Sequence, residues 1–229
     1  MGKLILVRHG HTALNRPGEG EILRSWLNVP LDETGLREAE ETAEKLQGYP
    51  IEAVYCSDLK RARQTARILC RGSRAAVTAT PDLRPWNLGV FGGALVQEIL
   101  PFLNLLNENP TMPAPSGESF YQFYERYERR LRELLQVAEA AEGYVLAVTH
   151  VRNLLAATSI IEGRGKDNVP VCGGPKTGTI TIVERNGTGW KIHRDDGSAV
   201  VQAPVPPARR GPVLMPRSVP RAQMASSGD

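Results

Sequence analysis

Three of the four histidines in the chain could take part in chemistry, namely His9, His11 and His150. A neutral imidazole keeps one ring nitrogen with a free lone pair, and its ordinary pKa of about 6.5 leaves most of it neutral at pH 7. Such a nitrogen can attack phosphorus and form a phosphohistidine, which water or another acceptor then resolves. A lone histidine is more often structural, so this interpretation depends on the residues beside it.

Two arginines strengthen the phosphorus interpretation. Arg8 directly precedes His9, and Arg61 falls in the first turn of a predicted helix that Ser57 or Asp58 would cap. The free backbone N–H groups at a helix N-terminus favour an anion. A guanidinium group is suited to bidentate contact with phosphate. Together these residue types predict a site for a phosphoryl group with one or two imidazoles beside it.

Phosphoryl transfer needs positive charge near the equatorial oxygens, supplied by Mg²⁺ or by cationic side chains. The sequence contains no Asp/Glu cluster with metal-ligand spacing. Arg8, Arg61 and a protonated His150 could supply the charge instead. We therefore predict a mechanism without a metal ion and without a cofactor.

Two of these histidines follow apolar runs that are typical of buried strands. Residues 4–7 lead into Arg8 and His9, and residues 144–149 lead into His150. In α/β sheets, ligands bind beyond the carboxyl ends of the strands. The sequence therefore places both imidazoles at one edge of one sheet.

Helical periodicity alternates with further strand-like runs along the chain. We predict five helices: one at 34–46 capped by Thr34, one capped by Ser57 or Asp58, one at 94–106, one that begins with a Ser119/Gln122 capping box, and one at 153–161. Further strands are predicted at 51–56, 76–80, 179–183 and 189–193, and the Asn186-Gly187 turn joins the last two. This alternation indicates an α/β fold, here a three-layer sandwich with a mostly parallel central sheet flanked by helices.

The net charge of +3 over 229 residues comes entirely from the end of the chain. Residues 197–229 contain Arg209, Arg210, Arg217 and Arg221 against Asp229, and they are rich in proline. We predict one catalytic domain at 1–196 and an extended or disordered tail at 197–229. The tail lacks interleaved aromatic residues, so its basicity gives little support to a nucleic-acid partner.

Cys56, Cys70 and Cys172 show neither C-x-x-C spacing nor a ligand pattern with histidine, so we expect free thiols in a reducing compartment. The apolar run at 4–7 is too short for a signal peptide or a membrane span. We therefore expect a cytoplasmic protein with no membrane partner. The oligomeric state stays open.

The motif around His9 resembles the Arg-His-Gly-x-Thr-x-x-Asn signature of the histidine phosphatase superfamily, which has the phosphoglycerate-mutase-like fold; it occupies residues 8–15. Four further stretches are similar to the family in the same order. They are residues 29–35 (its Pro-Leu-x-x-x-Gly helix entry), 57–66 (its second motif), 115–119 (its Gly-Glu-Ser loop) and 148–150 (its second-histidine strand). The resemblance covers about residues 3–193.

The resemblance implies a role for each matching residue. The implied roles are His9 as the phosphorylated nucleophile, Arg8 and Arg61 as the phosphate clamp, His150 as the second imidazole on the transferred group, and Thr12 and Asn15 as lining of the phosphate pocket. For Glu118 two interpretations are equally good, a substrate contact and a first-turn helix carboxylate. His11 is expected at the rim of the site, and His193 on the surface.

One position departs from the family pattern. Family members usually place there a glutamate that protonates the leaving group, whereas this chain has Pro85. Glu118, Asp82 or Glu98 would have to substitute, or no acid is used. Positioned acid catalysis is worth about 10²–10⁴ in rate and matters most for poor leaving groups. We therefore expect a preference for leaving groups of low pKa.

The residues and the resemblance together favour a phosphatase that hydrolyses a small phosphorylated molecule through phosphohistidine on His9. A phosphoglycerate-type phosphomutase is the nearest alternative, because it would use the same nucleophile. A pseudoenzyme that binds a phosphorylated ligand is a third reading, supported by Pro85 and opposed by the retention of His9 and His150.

Overall fold

The computed structural model describes residues 2–15, 20–170 and 173–194. The predicted tail at 197–229 and Cys172 lie outside these residues. Six strands form one sheet: β1 (Lys3–Arg8), β2 (Ile51–Ser57), β3 (Val77–Thr80), β4 (Tyr144–Thr149), β5 (Ile180–Asn186) and β6 (Gly189–Arg194). The α-helices are α1 (Glu33–Lys45), α2 (Lys60–Leu69), α3 (Val96–Glu108), α4 (Phe120–Ala140) and α5 (Val151–Ile161).

The order of the strands confirms the predicted α/β sheet. It is β3-β2-β4-β1-β5-β6, in which the first four strands are parallel and β5 is antiparallel to both of its neighbours. Arg8 at the end of β1 pairs with Thr149 at the end of β4. The residues that follow these two strands therefore emerge side by side.

Helices cover both faces of the sheet, as a three-layer sandwich requires. Alternate residues of β1 point to opposite faces. Leu4 and Leu6 pack into the cluster that contains buried residues of α4 and α5. Ile5 and Val7 pack into the cluster that contains Ala62 of α2. Because both faces of β1 are buried, its sequence is a continuous apolar run.

The helix caps expected for α1 and α2 are wrong. Asp32, not Thr34, caps α1, since its Oδ1 accepts a hydrogen bond from the Gly35 amide at 2.8 Å. The residue before α2 is Leu59, which offers no side-chain cap. Ser57 still belongs to β2, and the carboxylate of Asp58 is occupied by an ion pair with an arginine.

Other local predictions are confirmed. Ser119 and Gln122 form the capping box of α4. The Gln122 amide donates to Ser119 Oγ at 3.1 Å, and the Ser119 amide donates to Gln122 Oε1 at 2.8 Å. β5 and β6 form the expected antiparallel pair, with Asn186 opposite Gly189. α5 begins at Val151, two residues earlier than predicted, so that His150 itself is the residue before the helix. In the ranges described above, no helix is long and apolar enough to cross a membrane.

Candidate active site

The ends of β1 and β4 bring His9 and His150 together. The amide of His9 donates to the carbonyl oxygen of Thr149 at 3.0 Å, which ties the two strand ends to each other. The imidazole centroids are 4.9 Å apart with the rings at 62°. Both histidines are almost fully buried. We call His9, His150 and the two predicted clamp arginines, Arg8 and Arg61, the histidine site.

Backbone contact fixes the tautomer of His9. Its Nδ1 lies 2.7 Å from the carbonyl oxygen of Gly10. A carbonyl oxygen only accepts hydrogen bonds, so Nδ1 carries the proton and Nε2 keeps a lone pair. Arg61 Nε–H donates to this Nε2 at 3.3 Å. His9 is therefore oriented with a nucleophilic nitrogen facing a cation.

Burial and charge keep both imidazoles neutral at pH 7. Burial, followed by the charges of Arg61 and Arg8, holds the pKa of His9 well below its ordinary 6.5. Burial and then Arg61 lower the pKa of His150 in the same direction. His150 is therefore neutral at pH 7 in the site without a ligand, and its protonation beside a bound phosphoryl group stays a prediction. Both ring nitrogens of His150 are buried and have no hydrogen-bond partner within the described part of the chain.

Arg61 is held at three points. Its Nη1 donates to the carbonyl of Leu27 at 2.7 Å, its Nη2 donates to the carbonyl of Ser25 at 3.0 Å, and its Nε faces His9. The side chain is among the largest fully buried ones in the described residues. Burial and repulsion from Arg24 lower the pKa of Arg61 to about 9, which still leaves it charged at pH 7. Arg61 is thus a buried, rigidly oriented cation.

Arg8 keeps a donor free. Its Nη1 binds the carbonyl oxygen of Pro175 at 2.7 Å, whereas its Nε is buried without a partner in the described ranges. Burial and the charge of Arg24 lower the pKa of Arg8 to about 10. A buried N–H without a partner costs free energy that an anionic ligand would recover.

Thr12 and Asn15 close the loop that follows β1. The amide and hydroxyl of Thr12 both donate to Asn15 Oδ1, at 3.0 and 2.9 Å. The oxygen of the Asn15 carboxamide is thereby occupied, and its NH₂ group remains as the donor. This loop also packs directly against the start of α1, where a Cβ on Gly35 would lie 2.0 Å from the carbonyl oxygen of His11. Glycine at position 35 is required by this close approach.

His11 lies at the edge of this loop, as expected for a rim residue. Its Nδ1 is 2.6 Å from Asp32 Oδ2, and its amide donates to Glu38 Oε2 at 2.7 Å. About a quarter of the imidazole is exposed, 26% of its side-chain surface. Asp32 therefore both caps α1 and orients His11.

Both oxygens of Glu118 are occupied within the protein. Oε1 accepts from the amide of Asn87 at 2.9 Å and from Arg126 Nη2 at 2.7 Å, and Oε2 accepts from Arg126 Nε at 3.3 Å. Ser119 is the cap of α4, so Glu118 precedes the helix and is not its first-turn carboxylate. In this arrangement Glu118 links the 85–88 segment to α4.

Pro85 stands at the position expected for a proton donor, and its carbonyl is held by a side chain. The carbonyl of Pro85 accepts a hydrogen bond from Trp26 Nε1 at 2.8 Å. Glu98 is exposed on α3, and the carboxylate of Asp82 lies beside the Thr80 hydroxyl at 3.4 Å. Among the described residues, no carboxylate is hydrogen-bonded to either imidazole of the histidine site.

Sequence reasoning missed a third arginine, Arg24. Its Nη2 donates to Glu21 Oε1 at 2.8 Å, and its Nη1 is buried with no hydrogen-bond partner in the described ranges. Its charge lowers the pKa of Arg8 and, after other causes, that of His150. Arg24 stands in an irregular segment without apolar periodicity, so no sequence pattern pointed to it.

Ser25, the residue after Arg24, has a strained backbone. Its φ of 41° lies in the left-handed region, which is uncommon for residues other than glycine. Its carbonyl binds Arg61, and its hydroxyl accepts from the amide of Leu88 at 2.8 Å. These bonds over-determine the conformation and keep it in place.

No group of three or more His, Cys, Asp or Glu side chains in the described part of the chain could hold a metal ion. The cationic groups at the histidine site are those of arginines. Such a site can bind a dianion and present a neutral nitrogen nucleophile to it.

The α/β sheet and the paired histidines at its carboxyl edge define the class of protein. The chain matches the histidine phosphatase superfamily (branch 1) over residues 4–195. It therefore belongs to this superfamily, as the sequence motifs implied.

Curated relatives match only part of the chain. A 2,3-bisphosphoglycerate-dependent phosphoglycerate mutase of Methanosarcina mazei is 41% identical over 73 residues, 32% of this chain and 29% of the relative. Phosphoglycerate mutase-like protein 4 of Arabidopsis thaliana is 36% identical over 98 residues, 42% of this chain and 41% of the relative. The matched region thus spans less than half the length of either relative.

Solved structures cover more of the chain at lower identity. A mycobacterial glucosyl-3-phosphoglycerate phosphatase has a TM-score of 0.72 at 24% identity, covering 85% of this chain and 98% of that one. A putative alpha-ribazole-5'-P phosphatase of Escherichia coli has a TM-score of 0.72 at 22% identity, covering 84% and 95%. A phosphoglycerate mutase from Bacillus anthracis has a TM-score of 0.67 at 18% identity, covering 84% and 92%. These similarities show the fold.

Proposed function

We propose that the chain is a metal-independent phosphatase that hydrolyses a small phosphorylated substrate through a phosphohistidine on His9. The observation that carries this proposal is the lone pair on Nε2 of His9, which is neutral at pH 7 and faces Arg61. A protein that only binds phosphate gains nothing from a nucleophile held in this tautomer. Arginines supply the positive charge that phosphoryl transfer needs.

Two displacements at phosphorus make up the proposed reaction. In the first, Nε2 of His9 forms a bond to phosphorus while the bond to the leaving-group oxygen breaks, and the electron pair departs with that oxygen. In the second, a water oxygen bonds to phosphorus, the N–P bond breaks, and the electron pair returns to Nε2. One water proton goes to solvent, and inorganic phosphate leaves. The Nδ1–H···O bond to Gly10 keeps His9 oriented through both steps.

His150 would bind the transferred group from the side. Its two unpartnered ring nitrogens leave it free to donate a hydrogen bond to a phosphate oxygen. A phosphoryl dianion would bring negative charge next to the ring and raise the pKa of His150 from its present low value. The free Nε of Arg8 would bind another oxygen of the same group, and the NH₂ group of Asn15 would complete the pocket as a donor. Thr12 would line the pocket by orienting Asn15, because its amide and hydroxyl both donate to Asn15 Oδ1. Glu118 would act as a positioning residue, since Arg126 and Asn87 occupy it.

A phosphomutase is the second candidate function, because two curated relatives carry phosphoglycerate mutase names. A mutase must protonate and deprotonate substrate oxygens in both half-reactions. Pro85 has no proton to give, and its carbonyl is bound by Trp26. This chemistry favours hydrolysis over isomerisation.

The decisive experiment compares the wild type with His9→Ala on a panel of phosphorylated metabolites and aryl phosphates, read by release of inorganic phosphate. We expect the substitution to lower turnover at least about 10⁴-fold, because it removes the nucleophile. In the wild type, rapid quenching with a phosphorus-labelled substrate should trap a protein label that is stable in base and lost in acid. His9→Ala should trap none.

His193→Ala is the matched control, because it changes a histidine on β6 outside the histidine site. It should leave turnover and labelling unchanged. Turnover that persists in His9→Ala would contradict the covalent mechanism. Isomerisation of phosphoglycerate without phosphate release would favour the mutase. Tight binding of phosphate esters by the wild type with neither reaction would indicate a pseudoenzyme.

A further inference from the structure

We propose that Arg24 is a further substrate-binding residue, which stabilises negative charge on the leaving group where the resemblance implies a proton donor. The substrates are accordingly compounds whose leaving groups are stable as oxyanions, such as phosphoanhydrides, acyl phosphates and aryl phosphates. This inference rests on the proposed function of the histidine site. Four observations carry it.

The first observation is an unused donor. Arg24 Nη1 is buried and has no hydrogen-bond partner in the described part of the chain. Only 12% of the surface of the Arg24 side chain is exposed. A buried guanidinium N–H left unpaired is costly, and the cost is recovered when an anion binds. Arg61 is different, because both of its terminal nitrogens already donate to carbonyls. Arg24 therefore has a terminal nitrogen without a partner in the described residues, whereas each terminal nitrogen of Arg61 has one.

The second observation is that the ion-pair partner of Arg24 is more exposed than the nucleophile. Its partner Glu21 has 53% of its side chain exposed, whereas His9 is 3% exposed. An attacking nitrogen and a leaving oxygen lie on opposite sides of phosphorus. Because His9 is buried, a leaving group opposite it would lie on the solvent side of phosphorus, and we infer from the ion pair with the half-exposed Glu21 that Arg24 reaches this side.

The third observation ties Arg24 to the segment that lacks the acid. The next two residues, Ser25 and Trp26, bind the 85–88 segment through the amide of Leu88 at 2.8 Å and the carbonyl of Pro85 at 2.8 Å. The two residues that follow Arg24 are thus bound to the segment where the resemblance implies a proton donor and where Pro85 stands.

The fourth observation is electrostatic coupling to the histidine site. The charge of Arg24 contributes to the lowered pKa values of Arg8, Arg61 and both imidazoles. A cation this close acts on charge that develops during the reaction, and in a buried site its effect exceeds its effect in water. Arg24 cannot protonate an alkoxide, so it favours leaving groups that are stable as anions.

The test is a leaving-group series with Arg24→Gln. Phosphate release is measured on aryl phosphates from 4-nitrophenyl phosphate, a good leaving group, to phenyl phosphate, a poor one, and on acetyl phosphate. Losing the cation should lower kcat/KM about 10²-fold for phenyl phosphate and much less for 4-nitrophenyl phosphate, which steepens the dependence on leaving-group pKa. Arg24→Lys should restore part of the loss because it keeps the charge.

Arg71→Gln is the matched control, since this arginine pairs with Glu40 on an exposed surface. It should leave the whole series unchanged. A uniform loss across the series in Arg24→Gln would overturn the proposal, because it would show that Arg24 binds the transferred phosphoryl group instead. No loss at any substrate would overturn it as well.

A binding measurement separates this inference from the proposed function. If the wild type releases no phosphate from any substrate, titration calorimetry with inorganic phosphate and with pyrophosphate still tests Arg24. Phosphate fills only the phosphoryl position, whereas pyrophosphate also places an anion in the leaving-group position. Selective weakening of pyrophosphate binding in Arg24→Gln supports the role of Arg24, and equal weakening of both ligands contradicts it.

Discussion

Arg61 donates to the same lone pair that we propose attacks phosphorus. Its Nε lies 3.3 Å from Nε2 of His9 while its terminal nitrogens are held by the carbonyls of Leu27 and Ser25. A phosphoryl group that reaches Nε2 must take over the N–H of Arg61. The guanidinium would then orient the imidazole before binding and stabilise a phosphate oxygen afterwards, with little movement of either residue.

At the same scale, the titration of the two buried imidazoles is directly measurable. Because burial and neighbouring arginines lower the pKa values of His9 and His150, both rings should stay neutral well below pH 6.5. NMR titration of the four histidine ring signals, assigned with His9→Ala and His150→Ala, should show two signals that do not shift between pH 7.5 and about 6. Transitions of both near the ordinary value of 6.5 would contradict the structure.

Ligand binding should reverse this shift for His150. Inorganic phosphate in the site adds negative charge beside the ring, which raises the pKa of His150 and favours its protonated form. Calorimetry in two buffers with different ionisation enthalpies should therefore show greater net proton uptake on binding at pH 6.5 in the wild type than in His150→Gln, since any proton released by phosphate itself is common to both. His193→Gln should leave the uptake unchanged. Equal uptake in the wild type and His150→Gln would assign the proton to another group.

At the scale of elements, the site depends on where β1 and β4 end. The apolar runs predicted both ends to within one residue, because strands buried on both faces need continuous apolar residues, and the polar residues of the site come at or directly after the last strand residue. The helix starts were harder to predict. Asp32 and Thr34 are both good caps by residue type, and the choice was made by tertiary contact, since Asp32 also binds His11.

Arg24 shows the limit of sequence reasoning about the site. His9, Arg8 and His150 are marked by their position after strands, and Arg61 by its place in the first turn of a predicted helix. Arg24 lies in irregular structure. The next two residues, Ser25 and Trp26, form long-range hydrogen bonds with the 85–88 segment, and these bonds hold the irregular structure in place. Periodicity and capping describe local structure, so they carry no signal for a side chain that distant segments position.

The packing of the loop after β1 against α1 predicts the effect of Gly35→Ala. The new Cβ would meet the backbone oxygen of His11 at 2.0 Å, so either the start of α1 or the loop that follows His9 would have to shift. We expect urea unfolding to show a loss of at least about 1–3 kcal/mol, together with a fall in kcat/KM. Gly189→Ala is the control, because its nearest contact is 3.9 Å and its φ is not in the left-handed region. Equal stability of the two variants would contradict the described packing.

At the scale of the whole molecule, charge is concentrated rather than spread. The arginines of residues 197–229 account for the net +3, so residues 1–196 are formally neutral. Within them, the charge of Arg24 lowers the pKa values of Arg8 and Arg61, and the charge of Arg8 lowers that of Arg61. Their mutual repulsion and the two neutral imidazoles store an electrostatic cost in the folded protein, and a phosphate dianion would relieve it.

This stored cost predicts how stability depends on pH. The pKa values of His9 and His150 are lowered in the folded protein and about 6.5 in the unfolded chain, so below pH 6.5 the unfolded chain binds protons that the folded protein does not. The contribution of these two histidines to stability is therefore unchanged above pH 6.5. As the pH falls below 6.5, the free energy of unfolding should drop by up to about 1.4 kcal/mol per pH unit for each histidine.

Urea unfolding between pH 7.5 and 5 measures this dependence. His150→Gln should remove one histidine's share of the slope, and His193→Gln should keep it. Inorganic phosphate should restore stability at low pH in the wild type more than in His150→Gln, because the bound dianion favours a protonated imidazole. A slope that is the same in the wild type and both variants would show that carboxylates alone govern acid unfolding.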